Sequence, residues 1–385
     1  CLVGSEMCIR DRVDPMRLSP RRLNRATLAR QLLLARSPLD MVEAVEQIGG
    51  LQAQEPASPF LALWSRLSGF RADRLVTALH DHALVKATLG RSTLHIVSAA
   101  DYQASVPSLL SVTRSRWMHE QRGRPVRRGL PELTDESLAF ATEARTNVEM
   151  RDHAARLGEP VPADELWRRI RRYGTFVHVP GSEPWAYGRR PRLIAALAWL
   201  PEPEGDEHRS LEHVLRVHLR AFGPSRLADV AQWSGLTVRA LRVGLARIEE
   251  VVTHQDERGR ELFDLPDLPL PEEDTPAPAR LLPMWDETLL AYDQRERVLP
   301  EVYRKHVIVK AGDVLPTFLV DGFVAGLWWA EAGPGERPRI VLEPFEPLAA
   351  RERAALEAEG EALAAFIAPR EPEAYRRYRA TRRRA

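Results

Sequence analysis

The chain of 385 residues holds two cysteines, Cys1 and Cys8, both within its first dozen residues. Disulfide frameworks, thiolate zinc sites and iron–sulfur clusters are thereby excluded from the rest of it. Lysine is nearly as scarce. Lys86, Lys305 and Lys310 are all there is, which leaves 52 of the 55 basic residues as arginine. No run of about 18 apolar residues is present, so no membrane-spanning helix is expected. The eleven histidines form no close metal-ligand spacing, and neither a metal nor another cofactor is expected. Net charge is +1, so no global basic field advertises a polyanionic partner. The opening residues 1–12 lack the apolar core and cleavage site of a signal peptide. They read as a leader foreign to the fold, and the expected location is cytoplasmic.

What the chain does carry is a neutral pair of amides, Gln52 and Gln54, in the segment Gly49-Gly50-Leu51-Gln52-Ala53-Gln54. Residues 23–34 recur at helical spacing. A second helix is expected from Ser37-Pro38, with Met41, Val42, Val45 and Ile48 on its buried face. Gly49 and Gly50 end it, since glycine tolerates the left-handed conformation there. The pair thus sits in the turn of a helix-turn-helix. A third helix starts at Ser58-Pro59, and residues 74–80 supply a short fourth. Two β-type runs, 84–89 and 92–97, joined by Gly90-Arg91, complete a winged-helix pattern.

The pattern recurs. Residues 164–172 are expected as a helix, followed by a hairpin of 175–179 and 185–187 about Pro180-Gly181. A third copy has helices at 211–222, 227–233 and 238–248 and a wing of 251–254 and 261–265. Pro266, Pro269, Pro271, Pro276 and Pro278 mark an extended linker. Beyond it β-type runs are expected at 281–284, 288–292, 306–310, 317–320, 323–329 and 339–342, with a tight turn at Asp321-Gly322. A closing helix follows at 352–367, and the arginine-rich tail from 369 onward is expected to be mobile. The expected fold is α+β: three tandem winged-helix units (13–125, 126–205 and 206–265), a linker (266–278), a C-terminal β-rich domain (279–368) and a tail (369–385).

Arginines cluster on these units: Arg114, Arg116, Arg122, Arg124, Arg127 and Arg128, then Arg168, Arg169, Arg171 and Arg172, then 376–384. A genome rich in G and C accounts blandly for the arginine bias. Arginine is also the better fork for phosphate, and several such runs on helix-turn-helix units point towards DNA.

With these residues placed, the chain resembles the AlkZ/YcaQ family of winged-helix DNA glycosylases. The resemblance rests on residues 49–54, on Arg91-Ser92-Thr93-Leu94-His95-Ile96-Val97, on the run from Leu281 through Pro283-Met284-Trp285-Asp286-Glu287-Thr288 to Tyr292, and on Leu319-Val320-Asp321-Gly322-Phe323-Val324-Ala325-Gly326. It spans roughly residues 22–367. The resemblance implies a concave DNA channel and a catalytic Gln-x-Gln or Gln-x-Asp motif, here Gln52 and Gln54. The matching branch is similar to enzymes that release bulky N7-alkylguanine adducts and unhook crosslinks. The implied partner is double-stranded DNA with alkylated bases, bound by a monomer.

The chemistry fits two uncharged amides. A purine alkylated at N7 already carries positive charge and leaves as a neutral base. The transition state then needs an oxygen dipole near the forming oxocarbenium ion and a water held in line. Glutamine offers a carbonyl acceptor and an NH₂ donor at any pH. Gln54 is expected to position water and Gln52 to orient it or face the sugar, with the reverse equally open. Each is asked for about 2–3 kcal/mol. Without a nucleophilic lysine at the motif, the enzyme is expected to be monofunctional.

Each candidate has a plainer alternative. The two amides can simply cap backbone groups in a turn. Lys86 reads as a structural or phosphate contact, against an amine nucleophile. His95 reads as a hydrogen-bonded core histidine, against a proton shuttle. Asp286 bonds within the β domain or faces the channel. Arg91, Arg168, Arg169, Arg172 and the Asp321-Gly322 turn are candidate DNA contacts, the turn against a plain β turn. The rival classes are a non-catalytic winged-helix regulator and a damage-binding protein without activity.

Overall fold

A computed structural model of the chain describes residues 16–120, 126–188, 190–203, 205–309 and 312–379. The leader at 1–12 with Cys1 and Cys8 lies outside them, as do Arg122, Arg124, Lys310, the arginines at 382–384 and the side chain of Arg116.

The fold is α+β. Ser19 accepts from the Arg22 N–H at 3.1 Å and Pro20 occupies the first turn, so the first helix runs Pro20–Arg30 rather than 23–34. The second helix, Met41–Gln47, is capped by Asp40 in a capping box with Glu43. Ser37, the expected cap, instead pairs its backbone with the strand-like end of the next helix, its N–H donating to Arg66 O at 2.8 Å. Helices Ser58–Arg66 and Ala72–His80 lead into the expected hairpin, Leu84–Leu89 and Thr93–Ser98.

That hairpin is not a free wing. It lies inside a six-stranded antiparallel sheet of order Leu51–Gln52, Thr93–Ser98, Leu84–Leu89, Phe176–Val179, Arg192–Ala195, Arg145–Thr146. Phe176–Val179 pairs with Arg192–Ala195, not with 185–187 as the turn at Pro180-Gly181 suggested. The reason is burial. Trp185 and Tyr187 leave the sheet and enter the core around Phe60, whose ring lies 5.1 Å from that of Trp185. Three helices not expected from the sequence also appear: Ala99–Glu120, Leu130–Phe140 and Asn147–Arg156, the last opening on a Thr146–Glu149 capping box.

Over residues 207–264 the helices and strands fall close to where the sequence put them. Helices Glu207–Phe222, Leu227–Ser234 and Val238–Leu245 precede the hairpin of Val252–Asp256 and Glu261–Asp264, with Arg17–Leu18 added in parallel as a third strand. The linker 266–278 has no helix or strand. It is nonetheless tethered to the first helix, where Arg22 meets Glu272 at 2.7 Å and Arg21 Nε donates to Glu273 O at 2.8 Å.

The C-terminal sheet has the order Arg280–Leu282, Thr317–Val320, Phe323–Glu331, Arg339–Pro344, with helix Ala350–Ile367 against it. Two expected strands are absent: residues 287–289 form a short 3-10 turn and Arg304–Val307 a helical turn. The tail is not loose over 369–379. Ala374 is fully buried, and the Tyr375 hydroxyl lies 2.9 Å from Ser58 Oγ. A single buried cluster joins Leu28, Phe60 and Leu63 of the first unit to Phe318 and Trp328 of the C-terminal sheet. Each such side chain contributes about 1.5–3 kcal/mol on burial. Among the described residues no helix is long and apolar enough to cross a membrane.

Candidate active site

Gly49 and Gly50 take φ of 78° and 94°, a turn that glycine makes without strain. A Cβ on Gly50 would lie 2.8 Å from Val97. The two glycines therefore let the chain press flat against the Thr93–Ser98 strand, where Leu51 pairs with Ile96 and Gln52 with His95. Ala53 N–H donates to Leu94 O at 2.8 Å. The next rung is made by a side chain: Gln54 Oε1 accepts from the Leu94 N–H at 3.0 Å. Gln52 Oε1 accepts from the Gln54 N–H at 2.9 Å. A backbone N–H only donates, so both amide oxygens are fixed in orientation. Each keeps a spare lone pair and turns its NH₂ away. Gln52 is 6% exposed, whereas Gln54 lies open to solvent.

His95 shares a sheet face with Gln52. Its Nδ1 lies 3.1 Å from Thr93 O and its Nε2 3.1 Å from Glu287 Oε1. Both ring nitrogens face oxygen atoms, one on each side of the ring. Arg91, at φ 56°, reaches the same Glu287 oxygen at 3.3 Å. It also donates to Trp233 O at 2.7 Å. Burial pushes the Glu287 carboxyl up, but Arg91 and His95 outweigh it and hold the group below the ordinary carboxylate range. Glu287 is 4% exposed, and its second oxygen is buried without a hydrogen-bond partner.

Glu287 was not singled out from the sequence. The available signal was a pair of acids inside the apolar stretch 281–292. The structure splits that pair. Asp286 is gripped by Arg66 through both oxygens, and it caps the 3-10 turn by accepting from the Thr288 N–H at 3.0 Å. It is thus tied to helix Ser58–Arg66. Trp285 just before it sits at φ 54°, strained backbone for a large side chain. Gln52, Arg66, Trp285, Asp286 and Glu287 line one narrow cavity, with about 10 Å³ open to the centre of a water molecule. That is roughly the room one water needs.

Other expected contacts are redistributed. Lys86 projects from the opposite sheet face to Gln52 and is 4% exposed, its Nζ 4.3 Å from the Tyr187 ring centroid. Burial pushes its ammonium down to about 8, with Glu55 opposing. It does not face outward towards a phosphate. Arg169 is also buried, paired with Glu165 one turn away. Arg168 and Arg172 on the same helix, Ala163–Tyr173, are exposed. An open groove at Arg168 is lined by Arg151, Arg168, Arg171 and Arg190, with Asp164 among them. The Asp321-Gly322 turn does not project. Asp321 pairs with Arg21 and Arg25, and Gly322 O accepts from Asn24 Nδ2 at 2.8 Å, so the turn is docked on the first helix.

The site thus brings together the Leu51–Gln52 edge strand, the Leu84–Ser98 hairpin and the turn that carries Glu287. The family model for DNA glycosylase AlkZ-like proteins matches residues 45–366, and the chain belongs to that family. It is a DNA glycosylase, not a non-catalytic regulator. It is 25% identical over 338 residues to the interstrand DNA cross-link repair glycosylase of Streptomyces sahachiroi, a match covering 81% of this chain and 88% of that protein. The fold is also that of the solved Streptomyces sahachiroi DNA glycosylase AlkZ: the TM-score is 0.74 at 20% identity, over 93% of this chain and 99% of the other.

Proposed function

We propose that this glycosylase is monofunctional and hydrolyses the N-glycosidic bond of purines made cationic by alkylation at N7, bulky adducts and interstrand crosslinks included. Gln52 and Gln54 are its catalytic pair. The observation that carries the reading is that both amide oxygens are locked on backbone donors at a sheet edge. Such dipoles need little reorganisation during reaction. They suit a leaving group that needs no proton. The name of the Streptomyces sahachiroi relative supports the crosslink part. The burial of Lys86 on the other face of the sheet supports hydrolysis without a Schiff base.

In this reading residues 13–125, 126–205 and 206–265 act as three tandem winged helices ahead of the β-rich region 279–368. They hold double-stranded DNA by its backbone, with Arg168 and Arg172 on phosphates, and read little sequence. The enzyme works as a cytoplasmic monomer. The test is duplex DNA with a single N7-methylguanine, incubated with protein and treated with mild alkali. Strand cleavage that is lost in Gln52→Ala and in Gln54→Ala is the expected result. Efficient release of uracil, an uncharged base, would contradict the mechanism.

A further inference from the structure

The glutamine pair leaves Glu287 without a task, although its carboxylate is buried in the site and held through one oxygen only. Oε1 takes hydrogen bonds from His95 and Arg91. Oε2 is buried and has no partner among the described residues. Asp286, one residue earlier, shows what a purely structural acid looks like in this setting: both its oxygens are satisfied. A buried carboxylate oxygen left open is costly and calls for a ligand that the protein itself does not supply. The cavity that Glu287 shares with Gln52 has room for about one water molecule.

We propose that Glu287 is a further catalytic residue: its Oε2 binds the hydrolytic water beside Gln52 and takes the water's proton as the water attacks C1′. The inference rests on the reading of Gln52 and Gln54 as the lesion-facing pair. In the step, the C1′–O bond forms and the C1′–N9 bond breaks. The C1′–N9 electron pair flows into the cationic purine ring, which leaves neutral. One water proton passes to Glu287 Oε2 and later returns to solvent. Arg91 and His95 keep the carboxylate ionised beforehand, and its negative charge opposes the positive charge growing on the sugar. Glutamine dipoles align the water; the carboxylate is the group able to accept its proton.

The experiment is single-turnover release of N7-methylguanine from duplex DNA by the wild type, Glu287→Gln, Glu287→Ala, Gln52→Ala and Gln54→Ala, with melting temperature and lesion-DNA affinity measured alongside. Glu287→Gln should lose about a hundredfold or more in rate while folding and binding are retained. Added formate should restore part of the Glu287→Ala rate by entering the vacated cavity. A Glu287→Gln variant as fast as wild type, or a Glu287→Ala loss that formate does not relieve, overturns the proposal. If Glu287→Gln does not fold, Glu287→Asp decides. It keeps the charge for Arg91 and His95 but draws the carboxylate back by one methylene, so a slowed rate supports the proposal and an unchanged one sinks it. Full activity in both glutamine variants, with Glu287→Gln inactive, would instead fault the reading of Gln52 and Gln54 and leave Glu287 standing.

Discussion

Arg66 and Asp286 are 220 positions apart in sequence, yet they form a bidentate pair at 2.8 and 2.9 Å with side chains 2% and 1% exposed. The pair ties the helix that follows the Gln-x-Gln segment to the turn that carries Glu287. It is therefore the strut that sets one wall of the cavity against the other.

Removing one partner leaves a buried charge without its counter-ion, a change that costs about 3–5 kcal/mol. Asp286→Ala should lower stability by that amount in urea unfolding, and excision should fall with it. Asp286→Ala that unfolds at the wild-type midpoint would show that the strut is dispensable.

Lys86 gives a prediction of opposite sign. Its ammonium is pushed from 10.5 down to about 8, first by burial, with Glu55 pulling the other way. A lysine whose folded value is lowered binds its proton less well in the folded state than in the unfolded one. The cost is fully present below pH 8 and is relieved as pH rises towards 10.5. It amounts to about 3 kcal/mol at neutral pH. Lys86→Met should therefore stabilise the protein at pH 7, and the rise in stability between pH 8 and 10.5 should vanish. Its DNA affinity and salt dependence should not change. A loss of affinity would favour a phosphate contact over the structural role, the two readings the sequence left open.

Local signals carried much of the fold into the sequence. Gly49-Gly50, Thr237 and Asp321-Gly322 each act on their own backbone, and each marks a boundary that the structure keeps. What stayed hidden depends on distant partners. The Phe176–Val179 strand pairs with Arg192–Ala195 rather than with 185–187 because Trp185 and Tyr187 are taken into another core. Helix Ala99–Glu120 carries Pro107 in its interior and packs on several sides, so no single apolar stripe announces it. In the site, Gln52 and Gln54 were legible because their turn is local. Glu287 was not, because its meaning comes from His95 and Arg91, which lie almost two hundred positions away.

Arg168, Arg169 and Arg172 read alike in the sequence, but the structure separates them. Arg168 and Arg172 are exposed, and Arg169 is buried against Glu165. Arg168→Ala and Arg172→Ala should weaken binding across all sequences and lower the slope of log affinity against log salt by about one each. Arg169→Ala should leave that slope alone and reduce stability. Equal slopes for all three variants would place none of them on phosphate.

Gly322 has φ 83°, and a Cβ there would meet Asn24 Oδ1 and Leu28 Cδ1 at 2.6 Å. Gly322→Ala therefore combines backbone strain with a clash against the first helix. The loss should be at least about 1–3 kcal/mol in denaturant unfolding. Because the turn is docked rather than projecting, lesion binding by the folded fraction should match wild type. Wild-type stability with weakened binding would put this turn in a groove after all.

Gln54 tests what the amide oxygen is for. Its Oε1 replaces a strand carbonyl in accepting from the Leu94 N–H. A glutamate at this position keeps an acceptor of the same reach and adds a charge suited to a cationic lesion. A leucine keeps the bulk and loses the acceptor. Gln54→Glu should thus retain excision of N7-methylguanine within about tenfold, and Gln54→Leu should lose about a hundredfold, the scale of one preorganised polar group. The Glu variant should also gain a second pH dependence beyond the one Glu287 gives the wild type, its rate rising with pH as the new carboxyl ionises and its charge faces the cationic lesion. If leucine and glutamate prove equally active, the side-chain oxygen serves the turn alone, and Gln54 has no part in the chemistry.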